Sequence, residues 1–253
     1  MRENVRAFIA TAAEAFSPAG PIYEFGAYQV EGQDDRGNLR PLFPDRHYVG
    51  CDMRIGPGVD RIEDLADLSL PDEVAKTVIC VDTLEHVFES RRAVDEMLRV
   101  LAPGGLLLLS VPLDFKIHAY PSDYWRFTPS CLERLLAPLN ARIIGSQGTE
   151  SFPHTVFAVG CKAPVPAQFV RGSGRFVEGF QRWLDHASST APWKSKFKRN
   201  MLCWLRSKGE RRRLRQWFKT QFILQMQVDR RLQAESFLLH GDDRHVGGRL
   251  DLI

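Results

Sequence analysis

The chain has 253 residues, of which 44% are hydrophobic and 26% charged, and a formal net charge of +3, which is the composition of a soluble globular protein with one large domain or a domain plus an appendage. Its N-terminus lacks the continuous apolar stretch of a secretory signal, and its longest apolar run, Leu106 to Leu109, is far too short to span a bilayer, so we expect a cytoplasmic protein. The five cysteines stand singly, without a C-x-x-C pair or a histidine at ligand spacing, which argues against a disulfide framework and a zinc site; we expect no metal.

The first part of the chain predicts strands and helices in alternation. Residues 1 to 17 show apolar side chains at helical spacing, and a second helix is predicted from Ser90 to Leu101 before the stop Pro103-Gly104-Gly105. Thr128 can cap a third helix whose first turn holds Pro129. Apolar runs predict seven strands, at residues 21–25, 48–51, 59–62, 77–81, 106–111, 141–145 and 155–161.

This alternation predicts an α/β fold: a doubly wound, mainly parallel, seven-stranded Rossmann-like sheet with a helical C-terminal extension. We expect a domain with its N-terminal helix over residues 1–162, a linker over 163–175, a basic helical extension over 176–240 and a tail over 241–253. In the extension, Leu214, Phe218, Phe222 and Met226 are spaced four apart and predict an apolar helix face. That face could pack on the domain, on another copy of the chain or on a membrane.

The segment from Lys194 to Lys219 is strongly basic, with eleven Lys or Arg and the single acid Glu210. Such a block is commonly a solvated helix face, but it also suits a peripheral anionic membrane or a protein partner.

Ligands of an open parallel sheet bind beyond the carboxyl ends of its strands, so acids and glycines at those ends are the candidate site residues. Glu24 and Gly26 follow the first strand: glycine permits close backbone approach, and the acid can accept from an ammonium group. Asp52 ends the second strand and can accept from ribose hydroxyls. Asp64 and Leu65 follow the third and suit an adenine ring, and Val81 with Asp82 ends the fourth.

Together with the Leu84-Glu85-His86-Val87 segment and the Pro103-Gly104-Gly105 turn, these strand ends resemble the class I S-adenosylmethionine-dependent methyltransferases over about 140 residues. The resemblance implies S-adenosylmethionine as cofactor, with Glu24 and Gly26 facing its methionine part, Asp52 the ribose, Asp64 and Leu65 the adenine, and Val81 with Asp82 the pocket floor. Two features depart from the family pattern. Tyr28 and Val30 stand where the second and third glycines of the first loop belong, and only residues 53–58 separate the second strand from the third.

The stretch from Pro112 to Phe127 is the predicted acceptor side of the site. It follows the fifth strand and is rich in functional side chains. The run from Asp123 to Pro129 is loosely similar to a segment of methyltransferases from polysaccharide gene clusters, which implies polysaccharide biosynthesis. For a hydroxyl acceptor, His118 is the first candidate for the general base and His86 the second. The predicted substrate-binding residues are Tyr120, Tyr124, Trp125 and Arg126.

The sequence therefore predicts a methyltransferase acting on an oxygen of a small molecule or glycan. The alternative is a catalytically silent scaffold that binds membrane or a protein through its basic C-terminal helices. A dehydrogenase is disfavoured because the G-x-G-x-x-G turn is missing after the first strand. Nucleic-acid methylation is disfavoured because no base-holding N-P-P-Y-like motif follows the fourth strand.

Overall fold

The computed structural model describes residues 1–30, 37–118, 122–149, 152–190 and 224–228. Within these ranges the chain forms one sheet with helices on both faces. The helices are α1 (Glu3–Phe16), α2 (Ser90–Val100), α3 (Pro129–Leu135) and α4 (Ala167–Thr190). The strands are β1 (Ile22–Phe25), β2 (Tyr48–Asp52), β3 (Arg61–Ile62), β4 (Ala75–Val81), β5 (Leu101–Pro112), β6 (Ala141–Thr149), β7 (Phe152–Cys161) and β8 (Leu224–Val228).

The strand order is β3-β2-β1-β4-β5-β7-β6-β8. The first five strands in this order are mutually parallel, whereas β7 runs antiparallel to β5 and β6. The predicted doubly wound sheet is thus confirmed, with an eighth strand, β8, added antiparallel to β6 at the edge. Because the chain winds outward in opposite directions from β1 and β4, their carboxyl ends border the crevice in which such sheets bind ligands.

Apolar side chains fill both faces of the sheet. On one face, buried residues of α2 and α3, among them Met97 and Leu132, pack on the strands. On the other, α1 packs on the sheet and on α4 through aromatic rings: the Phe8 centroid lies 4.9 Å from that of Phe157 in β7 and 5.8 Å from that of Phe176 in α4. The helix caps follow the sequence, since the Thr128 hydroxyl accepts from the Cys131 N–H at 3.2 Å and Pro129 begins α3.

The C-terminal boundaries differ from the expected ones. Residues 167–175, expected in a linker, form the first turns of α4, because Phe169 and Val170 are buried against α1. Met226, expected on an apolar helix face, lies in β8, where it pairs with Gly145. The basic segment from Lys194 to Lys219 and the tail lie outside the described residues. Within the part of the chain that the structure describes, no helix has the length and apolar character that crossing a bilayer requires.

Candidate active site

The tips of β1, β2 and β4 meet at Gly26. Its N–H donates to the Cys51 carbonyl at 2.9 Å, and its φ of +87° lies in the region that favours glycine. A Cβ at this position would come within 2.0 Å of Thr83 Oγ1. Only glycine therefore lets the first loop pass this closely to the fourth strand end.

Glu24 is buried beside this junction, with 5% of its surface exposed. The Tyr48 hydroxyl donates to its Oε2 at 2.7 Å. Burial raises the pKa of Glu24 to about 7, against the opposing effects of the Tyr48 hydrogen bond and the Arg40 charge. A buried carboxyl of this kind gains from pairing with a cationic ligand group.

Asp52 ends β2 next to the first loop, with a side chain that is 11% exposed. It accepts from the backbone N–H groups of Arg54 at 3.0 Å and Tyr28 at 3.4 Å. The Tyr28 ring packs onto the short turn over residues 53–58 between β2 and β3: the Arg54 guanidinium carbon lies 4.2 Å from its centroid, and a Cβ on Gly56 would lie 2.3 Å from Cε2. The bulky Tyr28 side chain is therefore accommodated by this turn.

The remaining predicted cofactor residues differ in exposure. Asp64 is exposed and accepts from the Ala66 N–H at 2.9 Å, while Leu65 is buried. Asp82, predicted at the pocket floor, forms an ion pair in which Arg2 Nη2 lies 2.6 Å from Oδ1. Its carboxylate is thus paired with Arg2, the residue directly before α1, and the sequence did not indicate this contact.

The hydrogen-bond acceptors at these strand tips fit an adenosine-type cofactor with a cationic amino group. Glu24 is a buried acid beside a glycine that permits close backbone approach, and Asp52 is a slightly exposed acid at the next strand tip. Together they supply the two carboxylates that an ammonium group and a ribose diol require.

Both candidate bases lie beside the tip of β4, with the rings of His86 and His118 4.7 Å apart between centroids. His86 Nδ1 lies 2.6 Å from the Ser122 carbonyl, and since a carbonyl only accepts, Nδ1 carries the proton and Nε2 the lone pair. Burial lowers the pKa of His86, which favours this neutral form. His118 Nδ1 lies 3.0 Å from Asp123 Oδ2, so its Nε2 is likewise the available nitrogen.

Glu85, between this histidine pair and the sheet, has no exposed surface. Neither of its carboxylate oxygens makes a hydrogen bond to another residue that the structure describes, and His86 Nε2 lies 3.7 Å from Oε1. Burial and the nearby charge of Asp82 raise the pKa of Glu85 to about 8. Glu85, His86 and His118 each present one atom that could hold a metal ion.

Three of the predicted acceptor residues, Tyr124, Trp125 and Arg126, lie in the segment before α3, next to the histidines. Arg126 pairs with Asp123, with Nη2 2.7 Å from Oδ2, and this guanidinium holds the pKa of the Asp123 carboxyl well below its usual range. Tyr124 and Trp125 are 47% and 40% exposed, and Trp125 Nε1 donates to the Phe88 carbonyl at 3.0 Å. Phe88 is itself 59% exposed, so the three rings form an open aromatic patch; Tyr120 lies outside the described residues.

The sequence did not indicate a role in the site for four residues: Arg2, Tyr48, Glu85 and Asp123. The contacts of Arg2 and Tyr48 depend on pairing across 80 and 24 positions, which no local pattern indicates. Glu85 could have been found, because an acid followed by a histidine directly after a buried strand is an unusual place for two ionisable groups.

Comparison with known proteins places a methyltransferase domain in this chain. A family model described as "Methyltransferase domain" matches residues 51–109. A probable S-adenosylmethionine-dependent methyltransferase of Mycolicibacterium smegmatis is 42% identical over 57 residues, which span 22% of each chain.

Solved methyltransferase structures are similar to the sheet. A S-adenosylmethionine-dependent methyltransferase of Archaeoglobus fulgidus has a TM-score of 0.49 at 13% identity, covering 64% of this chain and 95% of its own. The 1,6-didemethyltoxoflavin-N1-methyltransferase of Burkholderia thailandensis, solved with its substrate and S-adenosylhomocysteine, has a TM-score of 0.48 at 16% identity, covering 63% and 78%.

The matched residues 51–109 run from the tip of β2 with Asp52, through the β4 tip with Glu85 and His86, into β5. These matches support a class I S-adenosylmethionine-dependent methyltransferase family for this chain, with S-adenosylmethionine as the cofactor of that family.

Proposed function

We propose that this protein methylates an oxygen of a small-molecule or glycan acceptor. The observation that supports this proposal best is the position of the His86–His118 pair, which lies beside the same strand tip that borders the cofactor residues and next to the exposed aromatic patch of Phe88, Tyr124 and Trp125. A cofactor side, a proton-handling group and an acceptor platform thus adjoin one another.

On the cofactor side, Glu24 would bind the amino group, Asp52 the ribose hydroxyls, and Asp64 with Leu65 the adenine. Gly26 would admit the methionine part, with Val81 and Asp82 beneath. When bound, S-adenosylmethionine supplies a methyl group on a positively charged sulfur, and the S–CH₃ bond breaks with its electron pair staying on sulfur as the O–CH₃ bond forms. The chain contributes mainly by holding the acceptor oxygen in line with that methyl group.

On the acceptor side, the aromatic patch offers apolar ring faces that suit a sugar ring or an aromatic small molecule. The hydroxyl of such an acceptor must lose its proton, and the Nε2 atoms of His118 and His86 are the groups suited to receive it, His118 being the more exposed at 25% against 14%. Arg126 has its guanidinium in the loop's own ion pair, so its part is to hold Tyr124 and Trp125 in place.

The first test is isothermal titration of the protein with S-adenosylmethionine and S-adenosylhomocysteine, for which we expect micromolar affinity. Transfer of a labelled methyl group is then screened over hydroxylated acceptors, with glycans and phenols as separate arms. Absence of cofactor binding up to millimolar ligand would remove the proposal. Labelling only of amine or thiol acceptors would overturn the oxygen specificity.

The alternative is a silent scaffold that binds an anionic membrane or a protein through its C-terminal segment. The departures at Tyr28 and Val30 are the features that favour it. Because both α4 and β8 are part of the packed domain, the discriminating variant keeps the full chain and replaces the Lys and Arg residues of the segment from Lys194 to Lys219 by glutamine. A scaffold loses its association on this replacement and binds no cofactor in either form, whereas an enzyme keeps cofactor binding.

A further inference from the structure

A buried carboxylate without a partner is the feature of this site that methyl transfer alone does not explain. Glu85 has 0% of its surface exposed, and both oxygens lack a hydrogen bond within the described ranges. Burying an acid without a hydrogen-bond partner is costly, and buried acids are usually hydrogen-bonded, paired or coordinated to a metal. Two imidazoles, His86 and His118, each offer a ring nitrogen within 4.8 Å of a Glu85 oxygen.

We propose that Glu85, His86 and His118 form a binding site for a divalent transition-metal ion such as Mn²⁺, Co²⁺ or Zn²⁺. Two neutral imidazoles and one carboxylate are a ligand set that these ions accept, and they leave coordination positions open for another ligand. All three ligand atoms lie within 4.8 Å of one another, with Glu85 Oε1 and His86 Nε2 already 3.7 Å apart.

The histidines are already oriented for this role. A ligating histidine generally donates its other ring N–H to a carbonyl or a carboxylate, which fixes the ring and its tautomer. His86 does so to the Ser122 carbonyl and His118 to the Asp123 carboxylate. In both rings the nitrogen without the proton is therefore Nε2, the atom that a metal needs. Asp123 is in turn held by Arg126, so a buried chain of contacts supports the site.

Binding needs a small contraction. Ligand atoms around an ion at about 2.1 Å lie roughly 3.0–3.5 Å apart, so the three side chains would close by about 1 Å. His118, which is 25% exposed on the loop after β5, is the side chain with room to move. The ion would then neutralise the Glu85 carboxylate. This proposal replaces the expectation from the sequence that the protein holds no metal.

The metal also gives the acceptor hydroxyl a place to bind, and this part of the inference rests on the proposed function. An acceptor oxygen in an open coordination position would lose its proton more readily, since a bound cation lowers the pKa of a ligated hydroxyl. With a metal bound, the Nε2 atoms of His86 and His118 are engaged as ligands and no longer serve as the base, so the proton passes to solvent instead. An acceptor with two adjacent oxygens, such as a sugar diol, would fill two positions.

Metal binding is measured on the metal-stripped full chain by titration with Co²⁺, followed by its visible absorption, and with Zn²⁺ and Mn²⁺ by calorimetry. We expect one equivalent of metal per chain. Glu85→Gln and His118→Gln should each weaken binding by at least 100-fold, and Asp123→Asn, which removes the support of His118, by about 10- to 100-fold. His47→Gln, an exposed histidine at the start of β2, is the matched control and should bind metal like the unmodified protein.

Folding is checked by the melting temperature of the stripped proteins. Glu85→Gln should not lower it, because glutamine has nearly the same shape as the glutamate side chain and introduces no charge into this buried position. Lack of one-equivalent binding by the unmodified chain, or binding that survives Glu85→Gln and His118→Gln, would overturn the metal site. Cofactor titration separates the two proposals. If the unmodified protein binds the metal but not S-adenosylmethionine, the methyltransferase proposal alone is refuted.

Discussion

The Tyr48 hydroxyl donates a 2.7 Å hydrogen bond to Oε2 of Glu24, joining neighbouring strands next to the predicted cofactor site. Burial raises the pKa of Glu24 to about 7, and this hydrogen bond and the charge of Arg40 oppose the rise. The side chain is therefore partly protonated at neutral pH. Its charge state connects folding and cofactor binding to pH in opposite directions.

We predict that Glu24→Gln removes a pH dependence from both properties. The folded-state pKa lies above the ordinary 4.5, so the protonated carboxyl favours the folded state below about 4.5, and this contribution is lost as pH rises through about 7. Cofactor affinity should instead rise through that window, because the ammonium group needs the ionised carboxylate. Denaturant unfolding and calorimetry from pH 5 to pH 8 test this. Parallel pH profiles for the unmodified protein and the Glu24→Gln variant would contradict this prediction.

Asp52→Asn should weaken S-adenosylmethionine binding by about 10- to 100-fold, since each hydrogen bond to a charged group is worth about 1.5–3 kcal/mol. Titration calorimetry gives the dissociation constants. Asp45→Asn is the matched control: Asp45 is exposed, and its φ of +62° is one that asparagine adopts readily. Equal affinity in the two variants would exclude Asp52 from the cofactor site.

Gly26→Ala should destabilise the fold by about 2–4 kcal/mol, through its positive φ and the 2.0 Å approach to Thr83 Oγ1. Adding Thr83→Ala removes the clashing hydroxyl and methyl, so the double variant should recover part of that loss. Gly174→Ala in α4 meets no atom within 4 Å and should be neutral or stabilising by up to about 1 kcal/mol. Chemical denaturation measures all four proteins. Strict additivity of the Gly26 and Thr83 changes would contradict the proposed contact.

Trp125→Ala should raise the KM for the acceptor about 10-fold while changing the affinity for cofactor little, because this 40% exposed ring lies in the aromatic patch. Ile62→Ala removes a comparably exposed apolar side chain from β3, away from the patch, and serves as the control. Steady-state kinetics with the acceptor found in the screen give both parameters. An unchanged KM would place acceptor binding elsewhere.

The sequence predicts local features of this protein well and distant contacts poorly. The alternation of strands and helices and the cap at Thr128 follow from apolar runs and single residues, and the structure confirms them. The start of α4 was missed because its Gly-rich opening, with Gly172 and Gly174, suggests a linker, whereas packing on α1 outweighs that preference. In the candidate site, each histidine was chosen as a base by type alone. Their meeting with buried Glu85 depends on loop geometry that no spacing rule contains.

The aromatic contacts of α1 with β7 and α4 set an order for the maturation of the chain. Phe8 leaves the ribosome well before Phe157, Phe176 and Phe180, which cover it and are made about 150 to 170 residues later. The apolar face of α1 therefore stays uncovered until most of the domain has been made. We expect chaperones that shield such surfaces to bind the nascent chain.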